Sequence, residues 1–524
     1  MLNNLIGTRI IRINLTLGHP DSFKKISVSE LDNVHMMYQE KVCPNFLEGD
    51  YVFNKYGFQK ITPRNGFDTN PNNAMQNNYA WSMAEMGEYL YVGTGRNILY
   101  NILLTIKNAG ILGDFEIPKE LTPEVVDNRA EIWRYNKALP HAGWEKVFKA
   151  PADFNIIQGF RYMIRYTDLN GQTALYVGGY CQGKVRTFRS TDGLSWLEIP
   201  NDNLNGTSTR AMVIHTNEKL YMSTVDEISQ TLTALIYEYI PPTVHFPNGR
   251  WEQVTGDPSN PGFIQGKNPS GQVMMMASFK GHLYAATSNL VEGFELWRTE
   301  GTGTIINEWK LVIDKGAGDA LNIIPLTLGA FKDYLYVGAI MFPLLAQQPM
   351  NLSAFKPFDL VRIDAQDHWQ LVIGGKAKKP TNPTTGTRGK ALSHKPSGLG
   401  NPFNLYCWQL EEYNGEFFLG TFDWSVLLKP LVPAIIPAIL NLPGFLEELL
   451  RIILSVLLTV GDAIYPFNGF DLFKSKDGIH WAPITLNGLG NPHNYGARIL
   501  FKTANGHLNL GTANPFDGCE VWFR

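Results

Sequence analysis

The stretch GEFFLGTFDW (415–424) runs as an alternating apolar strand into Thr421, Asp423 and Trp424, directly ahead of a long, proline-broken apolar segment. A carboxyl set beneath apolar residues holds its proton more tightly, and a guanidinium nearby retunes it. That is how a general base is made. Arg96, at the end of GEYLYVGTGRN (87–97), occupies the matching place in another strand and is the guanidinium expected to meet Asp423. Tyr465, where the long apolar segment ends, is the expected phenolic donor. Thr421, Trp424 and Phe403, the last from the connection GLGNPFN (398–404), are the expected substrate contacts.

The elements that must position these residues are repeats. GEYLYVGTGRN (87–97) returns as TALYVGGYCQG (173–183), EKLYMSTVDE (218–227), GHLYAATSNLVEG (281–293), DYLYVGAIMFP (333–343), GEFFLGTFDW and GHLNLGTANPFDG (506–518). An apolar run precedes each copy. A second signature follows most of them, as in AEIWRYN (130–136), FELWRTEG (294–301) and CEVWFR (519–524), and a strand opening on tryptophan often closes the unit. Short alternating runs are strands, and a fixed repeat of such units means a repeat architecture. The reading is all-β: a seven-bladed β-propeller of four-stranded blades. The last blade ends after three strands, so residues 58–62 are expected to supply the fourth and close the ring. Residues 1–57 flank the propeller, which spans 58–524. STDGLSW (190–196) and SKDGIHW (475–481) read as structural D-G turns at hairpins.

The large insertions, 97–128, 340–357 and 425–468, all follow second strands and are expected to cap one face. The same geometry aims the ends of second strands at the channel mouth: Arg96, Cys181, Asp226, Asn289, Thr421, Asp423 and Asn514. Prolines and charges break 425–468, so it is not expected to span a membrane. Lying over the propeller, touching a membrane surface through 425–464, or forming a satellite core between loops all fit it. A net charge of −3 without a basic stripe argues against nucleic acid. The four scattered cysteines read as reduced core thiols. The eleven histidines show no metal-binding spacing. No cofactor is expected, though structural calcium or magnesium on loop oxygens is compatible with the sequence. The first residues, MLNNLIGTRIIRINL, lack a signal-peptide layout, so a cytoplasmic location is the expectation.

The LYVGT…EVWR…W pattern resembles the propeller of the alkylating enzymes that form cylindrocyclophanes and of their relatives in bartoloside-type pathways. The resemblance covers about 58–524, without the calcium-binding nonapeptide roll that relatives can carry. It implies coupling of a secondary alkyl halide to a resorcinol-like carbon or an oxygen nucleophile, with loss of halide. In that reading Asp423 deprotonates or orients the aromatic hydroxyl, Thr421 belongs to the same T-x-D, and Arg96 and Tyr465 hydrogen-bond the leaving halide. The substrate is then a lipid-like small molecule. Two further readings stand beside it. One is a non-catalytic scaffold that binds lipid, glycan or protein through an apolar patch. The other is a sialidase-like hydrolase, which needs three arginines at the channel, where only Arg96 is expected.

Overall fold

The computed structural model describes residues 55–108, 116–227, 234–255, 268–301, 308–340, 356–427 and 468–524. Tyr465 and most of the insertions 340–357 and 425–468 lie outside them, as does nearly all of the 1–57 segment. After a short strand, β1 (Gln59–Lys60), the strands follow one another as antiparallel neighbours in groups of four. The first group is β2 (Asn77–Met86), β3 (Tyr89–Arg96), β4 (Glu131–Asn136) and β5 (Trp144–Lys149). The second is β6 (Ile157–Thr167), β7 (Thr173–Cys181), β8 (Thr187–Ser190) and β9 (Leu197–Ile199). The third is β10 (Ser208–Ile214), β11 (Leu220–Val225), β12 (Leu235–Ile240) and β13 (Arg250–Thr255).

The fourth group is β14 (Val273–Phe279), β15 (His282–Thr287), β16 (Glu295–Thr299) and β17 (Trp309–Ile313). The fifth is β18 (Ile324–Phe331), β19 (Tyr334–Ile340), β20 (Asp359–Ile363) and β21 (Trp369–Ile373). The sixth is β22 (Asn404–Tyr413), β23 (Glu416–Asp423), β24 (Leu472–Ser475) and β25 (Ala482–Thr485). Last come β26 (Gly496–Lys502), β27 (Leu508–Ala513) and β28 (Val521–Phe523), with β1 antiparallel to β28 through Gln59↔Phe523 and Lys60↔Trp522. Such groups, packed first strand against first strand, define the β-propeller class. The first strands neighbour one another in chain order, and β26 lies against β2.

The glycine of the repeated LYVG stretch has a packing cause. It sits on the second strand, where the next group's first strand comes closest. A Cβ at Gly93 would come within 2.7 Å of the Phe160 Cβ, and one at Gly420 within 2.5 Å of the Ala497 Cβ. At Gly511 the neighbour is Ala80 of the first group, at 2.6 Å. The D-G turns are structural, as expected. Asp192 accepts backbone N–H bonds from Leu194 and Ser195, and Asp477 does the same for Ile479 and His480. Gly193 and Gly478 take positive φ there, and Trp196 stacks on Phe148 of the preceding group. Cys181, Cys407 and Cys519 are buried free thiols; burial pushes Cys181 up to about 12, which keeps it inert.

Helix α1 (Pro71–Gln76) lies just upstream of β2, and in the described part of the first insertion α2 (Ile98–Asn108) begins two residues after β3. Among the described residues no helix is long and apolar enough to cross a membrane.

Candidate functional site

Four connections between groups share one device. Asn77, Asn322, Asn404 and Asn494 each donate through Nδ2 to a glycine carbonyl of the preceding turn: Gly66, Gly316, Gly398 and Gly488. Each also donates to a buried carboxylate on the third strand or at its approach: Glu131, Asp359, Asp471 and Glu520 respectively. Those turns carry consecutive residues with positive φ, such as Gly398 and Leu399, which glycine makes affordable. Where the third strand reads E-x-W, the same carboxylate accepts the tryptophan Nε1–H, at 3.0 Å for Trp133 and 3.0 Å for Trp522.

Two of the sequence-derived site residues belong to this device. Thr421 donates to Asn404 Oδ1 at 2.9 Å and accepts the Asp471 N–H at 2.9 Å. Arg96 is 1% exposed. Its Nη1 donates to Asn77 Oδ1 at 2.6 Å, Nη2 to Asn73 Oδ1 at 2.8 Å and Nε to the Asp127 carbonyl at 3.0 Å. Glu131 Oε2 lies 3.5 Å away. Burial pulls this guanidinium below its ordinary value, and Glu131 offsets part of that.

Asp423, Trp424 and Phe403 come together in the sixth group. Asp423 is fully buried. Its Oδ1 accepts the Ser425 N–H at 2.9 Å, and Asn401 Nδ2 bridges its Oδ2 at 3.4 Å to Asp471 Oδ2 at 3.1 Å. Trp424 donates its backbone N–H to the Phe403 carbonyl, and the two rings meet edge-on at 5.3 Å. Arg96 has none of these as hydrogen-bond partners. One apolar cluster nevertheless reaches both ends: Ile98, just past Arg96, packs with Phe422 and Val426 on either side of Asp423, with Trp424 against them.

The central cavity, about 920 Å³, is lined chiefly by first strands. Of the second-strand ends named above, Asp226 lines it, whereas Arg96, Thr421 and Asp423 do not. A β-bulge recurs in all seven first strands. The register jumps between Ala80 and Ser82, Phe160 and Tyr162, Thr209 and Ala211, Val273 and Met275, Pro325 and Thr327, Cys407 and Gln409, and Ala497 and Ile499. The extra residue of a bulge leaves the ladder and its side chain is re-aimed. Those residues are Trp81, Arg161, Arg210, Met274, Leu326, Trp408 and Arg498, and every one lines the cavity.

The expectation that only Arg96 stands at the channel is therefore corrected: Arg96 does not line it, whereas Arg165 and the three bulge arginines do. Arg161 and Arg210 share Glu227, Arg210 Nη2 lying 2.9 Å from Oε1. Arg161 also donates to Ser208 Oγ at 2.8 Å. Burial works against the Glu227 charge, and the two arginines more than offset it, holding its carboxyl below the usual value. Arg498 stacks over Trp408 at 4.8 Å and Trp81 at 5.6 Å. Burial and then Arg161 pull Arg210 down to about 10, and the same two causes drive Arg498 well below its ordinary value. Sequence reading anchored on second strands missed this ring. Aligning the seven first strands one above another is the signal that would have exposed it.

Among the described residues no group of three His, Cys, Asp or Glu side chains gathers to hold a metal ion. No family model matches the chain, and no curated protein matches it. Among solved structures, the chain is similar to the extracellular domain of a hybrid two-component system from B. thetaiotaomicron, at 10% identity and TM-score 0.41. That match covers 85% of this chain and 40% of the other, so the chain spans less than half of that relative's length. It is also similar to the β-propeller domain of the Trilobed protease from Pyrococcus furiosus, at 6% identity and TM-score 0.35, covering 84% and 93% of the two chains. A third is the PQQ-bound aldose sugar dehydrogenase from Streptomyces coelicolor, at 10% identity and TM-score 0.28, covering 66% and 88%.

Proposed function

We propose that the chain is a closed seven-bladed β-propeller carrying an alkyltransferase-type active site, in which a secondary alkyl halide is coupled to a resorcinol-like carbon or to an oxygen nucleophile. For attack by carbon, Asp423 accepts or orients the proton of the aromatic hydroxyl. The ring carbon then bonds to the halide-bearing carbon as the carbon–halogen bond breaks; the ring carbon gives up its proton to regain aromaticity while the oxygen takes back the proton held by Asp423, so that one proton leaves with each halide. Arg96 and Tyr465 are the groups proposed to receive the halide. The apolar cluster of Ile98, Phe422 and Val426 is the part proposed to hold the alkyl chain and keep water out. Closure rests on the pairing of β1 with β28 and on the return of β26 to β2.

The observation that carries the reading is the apolar cluster reaching from Ile98 to Val426 and Trp424. It supports a single oily site bordered by the strand ends that bear Arg96 and Asp423. A second reading, a scaffold that binds a lipid-like molecule without transforming it, is favoured by one fact: every nitrogen of the Arg96 guanidinium already has an internal acceptor.

The test is incubation with an alkylresorcinol and a secondary alkyl chloride, followed by mass spectrometry for the coupled product and assay of released chloride. Asp423→Ala is expected to lower turnover about 10²-fold or more, the usual share of general-base catalysis. Unchanged turnover in that variant removes Asp423 from the chemistry. Binding of the resorcinol without product or chloride release from the intact chain favours the scaffold.

A further inference from the structure

The ring of bulge residues is uneven in a way that selects a ligand. Going round it, Arg498, Trp81, Arg161 and Arg210 form one arc, and Met274, Leu326 and Trp408 the other. The cavity lining as a whole holds four arginines, Arg161, Arg165, Arg210 and Arg498, and four carboxyls, Glu85, Asp226, Glu227 and Glu411, so what matters is which of them are paired. Glu227 is committed to Arg161 and Arg210. Arg498 is 8% exposed, its Nε is buried without a hydrogen-bond partner among the described residues, and no carboxylate pairs with it among them. The Nε atom of Arg210 and the Nε1 atom of Trp81 are likewise buried without acceptors among those residues. Indole faces stabilise a cation only modestly, and a buried, unpaired charge is costly. Buried donors without an acceptor are a demand for one.

We propose that the channel binds a small monocarboxylate with a compact apolar body, its carboxylate on the Arg498 guanidinium and its body against Met274 and Leu326. A planar guanidinium fork fits a carboxylate with two parallel hydrogen bonds. Methionine adapts its shape to an irregular apolar partner, and the cavity volume is that of a typical small-molecule site. Arg96 and Asp423 do not line this cavity, and the inference does not rest on the alkylation reading.

Calorimetry and tryptophan fluorescence on the full chain test it with three probes. 2-Naphthoate carries the acid and the body, 2-naphthylmethanol the body alone, and inorganic phosphate an anion alone. Naphthoate is expected to bind at least about tenfold more tightly than either other probe, the range of a hydrogen bond to a charged group. Arg498→Gln should cost naphthoate at least about tenfold on the same ground, and leave naphthylmethanol where it was. The same substitution should raise the melting temperature of the unliganded protein, because it removes an unpaired buried charge. Met274→Glu, which leaves the arginines in place, should also abolish naphthoate binding. Equal binding of the neutral analogue, equal binding of phosphate, or undiminished binding by a folded Arg498→Gln variant overturns the proposal.

Discussion

Arg498 and Glu411 hold opposite positions in the electrostatics of the channel. The arginine keeps its charge without a carboxylate; the glutamate gives its charge up. Glu411 lies half-buried on β22 and lines the same cavity. Burial pushes its carboxyl up to about 7, with Lys502 opposing and Glu412 adding. The half-buried ring of Tyr162 faces it, and that carboxylate in turn helps raise the phenol. A carboxyl raised on folding contributes its stability while protonated. That contribution is whole below the ordinary value of 4.5 and is lost as pH climbs to about 7. The loss amounts to at most about 3 kcal/mol. Thermal unfolding between pH 4.5 and 7.5 should therefore show a decline in the wild-type chain that Glu411→Gln flattens. Parallel curves for the two proteins would refute the assignment.

Strands and turns carry the next level of explanation. The Asn–Gly–carboxylate device pins each connection to its own third strand, and Asn404 is its clearest instance, being fully buried with three partners. Asn404→Ala leaves the Asp471 carboxylate and the Gly398 carbonyl short of a donor, at a cost of about 2–3 kcal/mol in denaturant unfolding. Asn404→Asp should cost more, because it sets a second carboxylate against Asp471. An aspartate variant as stable as wild type would show that the amide donor is not needed. The same element scale explains what the repeats revealed and what they hid. The LYVG glycines were legible because a close approach leaves room for nothing larger. The T-x-D and R-N ends were legible as strand ends. Their environments were not: Thr421 and Arg96 turn into the Asn device, which depends on partners from other segments. The bulges were hidden for another reason. A strand is read by its alternation of faces, and one inserted residue shifts that alternation by one, so Arg161, Arg210 and Arg498 do not declare their direction.

At the scale of the molecule, the first described strand meets the last. Gln59 and Lys60 pair with Phe523 and Trp522, and Lys60 reaches Glu520 at 2.9 Å. A chain starting at residue 63 should melt at a lower temperature than one starting at residue 55, and over a broader range, since it loses the pairing that ties the first group to the last. Calorimetric scans of the two truncations measure that difference directly, and coincident transitions would mean that the pairing does not hold these segments together. By itself the sequence determined the mainly-β class, the repeated unit, the D-G hairpins and the buried state of the three cysteines among the described residues, because these follow from local backbone preference and from periodic burial. Only the tertiary structure decided which side chains share the channel. The first strands that supply it are scattered from residue 77 to residue 502. Proximity there comes from the packing of one group on the next, and the direction of each side chain from a bulge.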